Sequence, residues 1–222
     1  MVDASHLVEE TRQELRAVET RIREHPYLAA LEAGQISRDE LRRFAGQQHH
    51  IITSDLRAMA HVIAKAESVE TREFFWGGIQ GEWSALEALH AFASAIAMPA
   101  EDLQAAEPIP GAFAYSAYVA WLALFSSCAE FAAAFLVNLE AWGGNCARMS
   151  QALKARYQLK DRDVAFFNLF SGLPSGFHER ALRVIQEGLD RGVGPPQVRQ
   201  AARMLQAYEL LYWDTLYQAA TG

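Results

Sequence analysis

Cysteine, basic charge and uninterrupted apolar runs are all scarce in this chain, and each scarcity removes a class of explanation. The 222 residues include two cysteines, Cys128 and Cys146. Both fall inside helical segments, and they are expected to stay reduced rather than to bridge. Twenty basic residues stand against 27 acidic ones, for a net charge of −7. The arginines are scattered among acids, as in TRQELRAVETRIREH (11–25), so they read as a solvated helix face. A nucleic-acid surface needs a basic stripe, and there is none. A membrane span needs about 20 apolar residues; the longest apolar stretch, 112–139, is broken by Glu130. The N-terminal MVDASHLVEE lacks a basic stretch followed by an apolar one, so a cytoplasmic protein is expected. Sustained two-residue alternation is also missing, which leaves no strand to assign.

What the sequence does hold is helical. Hydrophobic residues make up 51% and charged residues 21%, ample for one core over a single domain, 1–222. The first helix is expected over 5–24 and a short one over 26–32, separated by His25-Pro26 because the residue before proline avoids the helical region. Ser37 with Glu40 is a capping box for a helix reaching Ala66, and Ser68 is the expected cap of the next, which ends near Met98-Pro99. A single turn follows at 100–103. Pro108, Pro110 and Gly111 mark a loop before helices over 112–126 and 128–157, the second kinked at Gly143-Gly144. Asp161 or Asp163 is expected to cap a short helix ending at Phe170. SGLPSG (171–176) is a strong breaker, followed by HERALRVIQEGLDRG and a last helix from Pro195-Pro196 to about Ala220. About eight helices joined by short loops predict an all-α domain.

Phe74–Ala97, FFWGGIQGEWSALEALHAFASAIA, is an apolar run carrying Glu82, Glu87 and His90. Glu87 and His90, three residues apart, project from one helix face. Acidic and imidazole groups among Trp, Leu and Phe need partners or a task, so the other helices are expected to wrap around this one.

HPYLAALEAGQISRDELRRFAGQQHHIITSDLRAMAHVIAKA (25–66) is similar to the N-terminal part of the TenA, PqqC and CADD group, with its HP-hydrophobic-xxL opening, its glycine break and its Gln/His cluster at Gln47, Gln48, His49 and His50. The resemblance implies a heme-oxygenase-like helical fold over nearly the whole chain. In function the group is broad. Resemblance to its iron-oxidase branch implies ligands at Glu87 and His90, at Glu140 on the next long helix and at His178 after the SGLPSG break, with Glu82 as a further carboxylate. Trp83, Ser171 and Ser175 stand where that branch has ligands. The remaining donors would suit one or two irons with open positions, and an O₂-using oxidase of a small organic metabolite is the leading expectation.

Two alternatives stay open. A metal-free pocket like that of the quinone-oxidase branch would bind a small aromatic or heterocyclic metabolite through Gln47, His50, Arg57 and Tyr118. A thiaminase-like hydrolase of pyrimidine-type compounds implies a cysteine nucleophile and an aspartate following Gln47. Gln48 and LVNLEAW (136–142) stand at those places, and Cys128 lies about ten residues early. The last helix, with Tyr208, Leu211, Tyr212, Trp213 and Tyr217, is read as core plus a face for a homodimer. A small molecule is the expected partner, with neither nucleic acid nor membrane.

Overall fold

Cap chemistry sets where the helices begin. In a computed structural model describing residues 2–172 and 174–221, the Ser37 hydroxyl accepts from the Glu40 amide while the Glu40 carboxylate accepts from the Ser37 amide. This closes the expected box on α3 (Arg38–Lys65). Ser68 caps α4 (Val69–Ala95) as expected. A second box, Ser127 with Glu130, starts α7 (Cys128–Tyr157). Before these come α1 (Ala4–Arg23) and α2 (Pro26–Glu32); between them lie α5 (Ala100–Gln104) and α6 (Pro110–Phe125). The chain ends with α8 (Ala165–Phe170), α9 (Phe177–Asp190) and α10 (Pro195–Thr221). The described residues thus form ten helices and no strand, all-α as expected, with the turn expected at 100–103 forming α5. Neither Asp161 nor Asp163 caps α8, which has no side-chain cap. Asp163 instead accepts from the Lys160 amide in the preceding turn, at 2.9 Å.

His25 fixes the α1–α2 corner and ties it to the far end of the chain. Its Nδ1 accepts from the Tyr27 amide at 3.2 Å, so the proton sits on Nε2, which donates to Asp214 on α10 at 3.1 Å. Burial holds this imidazole's pKa below its ordinary value, against the opposing pull of Asp214.

The helix at the centre is α7, not α4. Of the 30 residues of α7, 18 are buried, from Ala129 to Leu153, and it packs against α1, α2, α6, α8, α9 and α10. A helix apolar on all sides belongs inside. By contrast α4 buries 8 of 27 residues, packs mainly on α3 and α8, and leaves Trp76 and Trp83 each 56% exposed. Its tryptophans made it look central, but they face outward.

The kink expected at Gly143-Gly144 does not end α7, which continues through both. A Cβ on Gly143 would run into the Phe170 carbonyl oxygen at the end of α8, whereas one on Gly144 would meet only the Arg23 guanidinium at 3.8 Å. Gly143→Ala is therefore expected to cost about 2 kcal/mol by overpacking against backbone. Gly144→Ala is expected to be neutral or to stabilise by up to about 1 kcal/mol through helix propensity. Urea denaturation of the two variants checks the contrast.

Two buried clusters make up the core. One surrounds Phe44, Phe92, Phe167 and Trp213; the other surrounds Phe75, Val119, Phe131 and Leu205. Between them lies a chamber with polar groups in its wall.

Candidate active site

Three carboxyl groups from three helices line a small cavity where the two clusters meet: Asp55 from α3, Glu82 from α4 and Glu209 from α10. Ile52, Trp142 and Tyr212 of one cluster face Tyr115 and Phe135 of the other across it. Its volume is about 40 Å³. Among the described residues no lysine, arginine or histidine lines it, so the acids have no cation beside them.

Helix periodicity explains why these side chains meet. Gln48 and Asp55 lie two turns apart on one face of α3, with Ile52 between them. On α10, Leu205, Glu209, Tyr212 and Leu216 form the inward stripe, all buried. Asn138 lies in the fully buried run 131–138 of α7.

Hydrogen bonds orient one carboxylate closely. The Tyr115 hydroxyl donates to Asn138 Oδ1 at 3.0 Å, and Asn138 Nδ2 donates to Glu209 Oε2 and, at 3.2 Å, to Gln206 Oε1. Trp213 Nε1 donates to Glu209 Oε1 at 3.1 Å. Each Glu209 oxygen thus has a neutral donor. Beside it Gln48 Nε2 donates to the Tyr212 hydroxyl at 2.7 Å. Asp55 is different: it is 3% exposed, and its Oδ1 has no partner.

Burial without a counter-ion favours the protonated form of an acid. It pushes the Glu209 carboxyl up to about 7, against the downward pull of the Asn138 and Trp213 donors. Loss of solvent around the carboxyl likewise raises Glu82 to about 8, although its side chain is only half-buried. Asp55 lies well above the usual carboxylate range, through burial and then through the neighbouring Glu82 charge. Near neutral pH the Asp55–Glu82 pair therefore retains a proton, while Glu209 is poised to ionise. One set of walls thus holds a proton donor and a proton acceptor.

The expected iron ligands do not come together. Among the described residues no group of three or more His, Cys, Asp or Glu side chains is placed to hold a metal ion. Glu87 is exposed on α4, and five residues of helix carry Glu82 to a different face. His90 is half-buried with its ring 6.3 Å from that of His49. Glu140 turns outward to Arg12 at 3.1 Å and Arg23 at 3.8 Å. His178 sits half-buried in the first turn of α9. Of the five, Glu82 alone lines the cavity. This donor set does not fit iron.

The residues expected around an aromatic ligand lie outside the cavity lining as well. Gln47 donates to the Glu107 carbonyl and accepts from the Ile109 amide, both at 2.9 Å. His50 bonds the Ala106 carbonyl at 2.7 Å. Both therefore pin the α5–α6 connection. Tyr118 stacks on Trp121 and leans on Tyr208 in an outer groove between α6 and α10, and Arg57 is exposed. Neither thiol lines the cavity. Cys128 is half-buried and Cys146 buried, with both thiol pKa values raised, chiefly by burial.

The profile of the TENA/THI-4/PQQC family matches residues 12–219. The chain belongs to that family. No curated protein matches it in sequence, but solved structures of the family's fold are plentiful. A TenA homologue from Pseudomonas syringae pv. tomato superposes with a TM-score of 0.83 at 16% identity, covering 98% of this chain and 96% of that one. A heme-oxygenase-like domain of unknown function from Shewanella denitrificans gives 0.70 at 14%, covering 98% and 92%. A TenA-like protein from Sulfolobus solfataricus, described as a candidate thiaminase, gives 0.70 at 13%, covering 99% and 98%. These likenesses show that the chain has the heme-oxygenase-like fold. Among the described residues no helix is long and apolar enough to cross a membrane.

Asp55, Tyr115, Asn138 and Glu209 are cavity residues that the sequence did not single out, whereas Gln48 was named in the Gln/His cluster and Tyr212 as part of the last helix. The available signal was a carboxylate inside an apolar stripe, at Asp55 on α3 and at Glu209 on α10.

Proposed function

We propose that this protein is a hydrolase of small heterocyclic amines, of the thiaminase-like kind, that works through buried carboxyl groups instead of a thiol. The observation that carries this reading is the cavity holding Asp55, Glu82 and Glu209 without a cation, among aromatic walls. Membership of the TENA/THI-4/PQQC family supports the substrate class.

The chemistry follows from the two kinds of carboxyl environment. Glu209, ionised and held by Asn138 and Trp213, takes a proton from a water molecule as that water attacks the carbon bearing the amine. The C–O bond forms and the C–N bond breaks. The leaving nitrogen receives the proton held by the Asp55–Glu82 pair. Overall, amine-substituted carbon and water become an alcohol and a free amine, with no oxidant and no covalent enzyme intermediate. The aromatic walls exclude bulk water, so that each charge exerts a strong field on the substrate.

Base and acid protonation together predict a bell for kcat/KM. The rising limb lies near pH 7, where Glu209 loses its proton, and the falling limb at higher pH, where the Asp55–Glu82 pair gives up its last proton. The experiment is amine release from a panel of N-substituted aminomethylpyrimidines, with and without iodoacetamide. Release that survives alkylation and in Cys128→Ser/Cys146→Ser is the expected outcome. Loss of turnover in that double variant would contradict it.

The same titration predicts a stability effect. Glu209 has a folded pKa of about 7 against an ordinary value of 4.5. Its contribution is therefore complete below pH 4.5 and lost as pH rises through 7. From pH 4.5 to pH 8.5 wild type is expected to lose about 3 kcal/mol relative to Glu209→Gln, since each tenfold change in proton affinity is worth about 1.4 kcal/mol. Urea titrations at the two pH values read the difference directly.

A further inference from the structure

The carboxylate cavity is too small for a whole substrate. At about 40 Å³ it takes a few water-sized groups, whereas ligand sites usually enclose roughly 300–1,000 Å³. Against it, across Glu82, Phe135, Leu139 and Phe170, lies a second chamber of about 370 Å³ that shares those four residues. Its other walls are largely apolar, with Met59, Phe74, Phe131 and Phe177 among them.

One wall is built in an unusual way. Gly77, Gly78 and Gly81 of α4 all line this chamber, in the interior of a long helix, where glycine is the poorest residue but proline. Close packing does not call for two of them: a Cβ on Gly77 or Gly81 would meet no atom within 4 Å. None of the three has a positive φ. What glycine provides at 77 and 81 is empty space beside Glu82.

From this geometry we infer that the chamber is the subsite for an apolar extension of the substrate. The substrate class is then an amine whose nitrogen reaches the carboxylates while an alkyl or aryl tail lies along the glycine wall. The inference rests on the acid–base reading for the head group, but the tail is tested separately.

The test is calorimetric binding of n-alkylamines, from butylamine to octylamine, to the full chain. In wild type the dissociation constant is expected to fall about fourfold per methylene. In Gly81→Leu, and independently in Gly77→Leu, the dependence is expected to drop below about twofold per methylene, with octylamine losing the most affinity and butylamine the least. Gly81→Ala, expected to melt at or above the wild-type temperature, shows that the helix accepts a side chain there. Affinity independent of chain length in wild type, or a slope unaltered in both leucine variants, would overturn the subsite. Glu209→Gln separates the two readings: it should weaken the whole series equally and leave the slope intact. A slope that persists while Glu209→Gln changes nothing would sink the acid–base reading and keep the tail subsite. Butylamine binding that depends on Glu209 without any slope would do the reverse.

Discussion

Replacing Glu209 by glutamine is expected to lower kcat by about 10²–10⁴-fold, the usual contribution of a positioned general base. The substitution keeps shape and removes the titrating group. Glu209 accepts from Asn138 Nδ2 at one oxygen and from Trp213 Nε1 at the other. A glutamine amide satisfies one of those donors and opposes the other, a mismatch worth about 1 kcal/mol. Above pH 7 the removal of a buried charge outweighs this, so the variant should melt at or above the wild-type temperature. The rising limb of the pH profile should vanish while the falling limb, set by the Asp55–Glu82 pair, remains. Single-turnover assays across pH 5–9 read both features. Unaltered turnover with the rising limb in place would mean that Glu209 is only a buried structural acid.

Trp213→Ala is expected to be the most destabilising single truncation in the core, at about 3–5 kcal/mol. Trp213 is fully buried, and its ring lies 5.7 Å from Tyr27, 5.8 Å from Trp142 and 5.6 Å from Tyr212. It therefore joins α2, α7 and α10, and its loss leaves a cavity that those rigid helices fill poorly. Trp213→Phe separates packing from chemistry. It keeps most of the apolar volume but removes the Nε1–H donor that holds the Glu209 pKa down. The rising limb of kcat/KM should then move to higher pH, while stability falls by less than in the alanine variant. A pH profile unchanged in Trp213→Phe would sever the link between this indole and the acid–base site.

The fold was legible because its punctuation is local. Ser37 with Glu40, Ser68, His25-Pro26 and Pro195-Pro196 mark helix starts through contacts within a few residues, and each stands near a start in the structure. Which helix lies at the centre was less accessible. Both α4 and α7 are rich in alanine and aromatics, and the difference rests on long-range packing that puts Trp76 and Trp83 outside and Phe131–Asn138 inside. The site was harder still. Glu87 and His90 were conspicuous as an acid and an imidazole at helical spacing, and Glu140 and His178 through the resemblance to the iron-oxidase branch. Conspicuous polar residues are often so because they are solvated, as Glu87 and Glu140 are. Glu82 was found, though as a metal ligand. Asp55 and Glu209 were overlooked because one is embedded in HHIITSDLRAM and the other in an aromatic helix read as core plus a dimer face. Their cost of burial becomes visible once three helices bring three acids to one cavity.

The most direct test of that cavity is a titration of its carboxyl carbons by NMR, with ¹³C-labelled Asp and Glu, in wild type and in Glu209→Gln. One glutamate carboxyl titrating near pH 7 and absent from the variant, together with an Asp and a Glu titrating higher still, is the result expected from the buried, cation-free arrangement. Carboxyl signals that all titrate below pH 5 would contradict it, and with it the assignment of Glu209 as base and of the Asp55–Glu82 pair as acid.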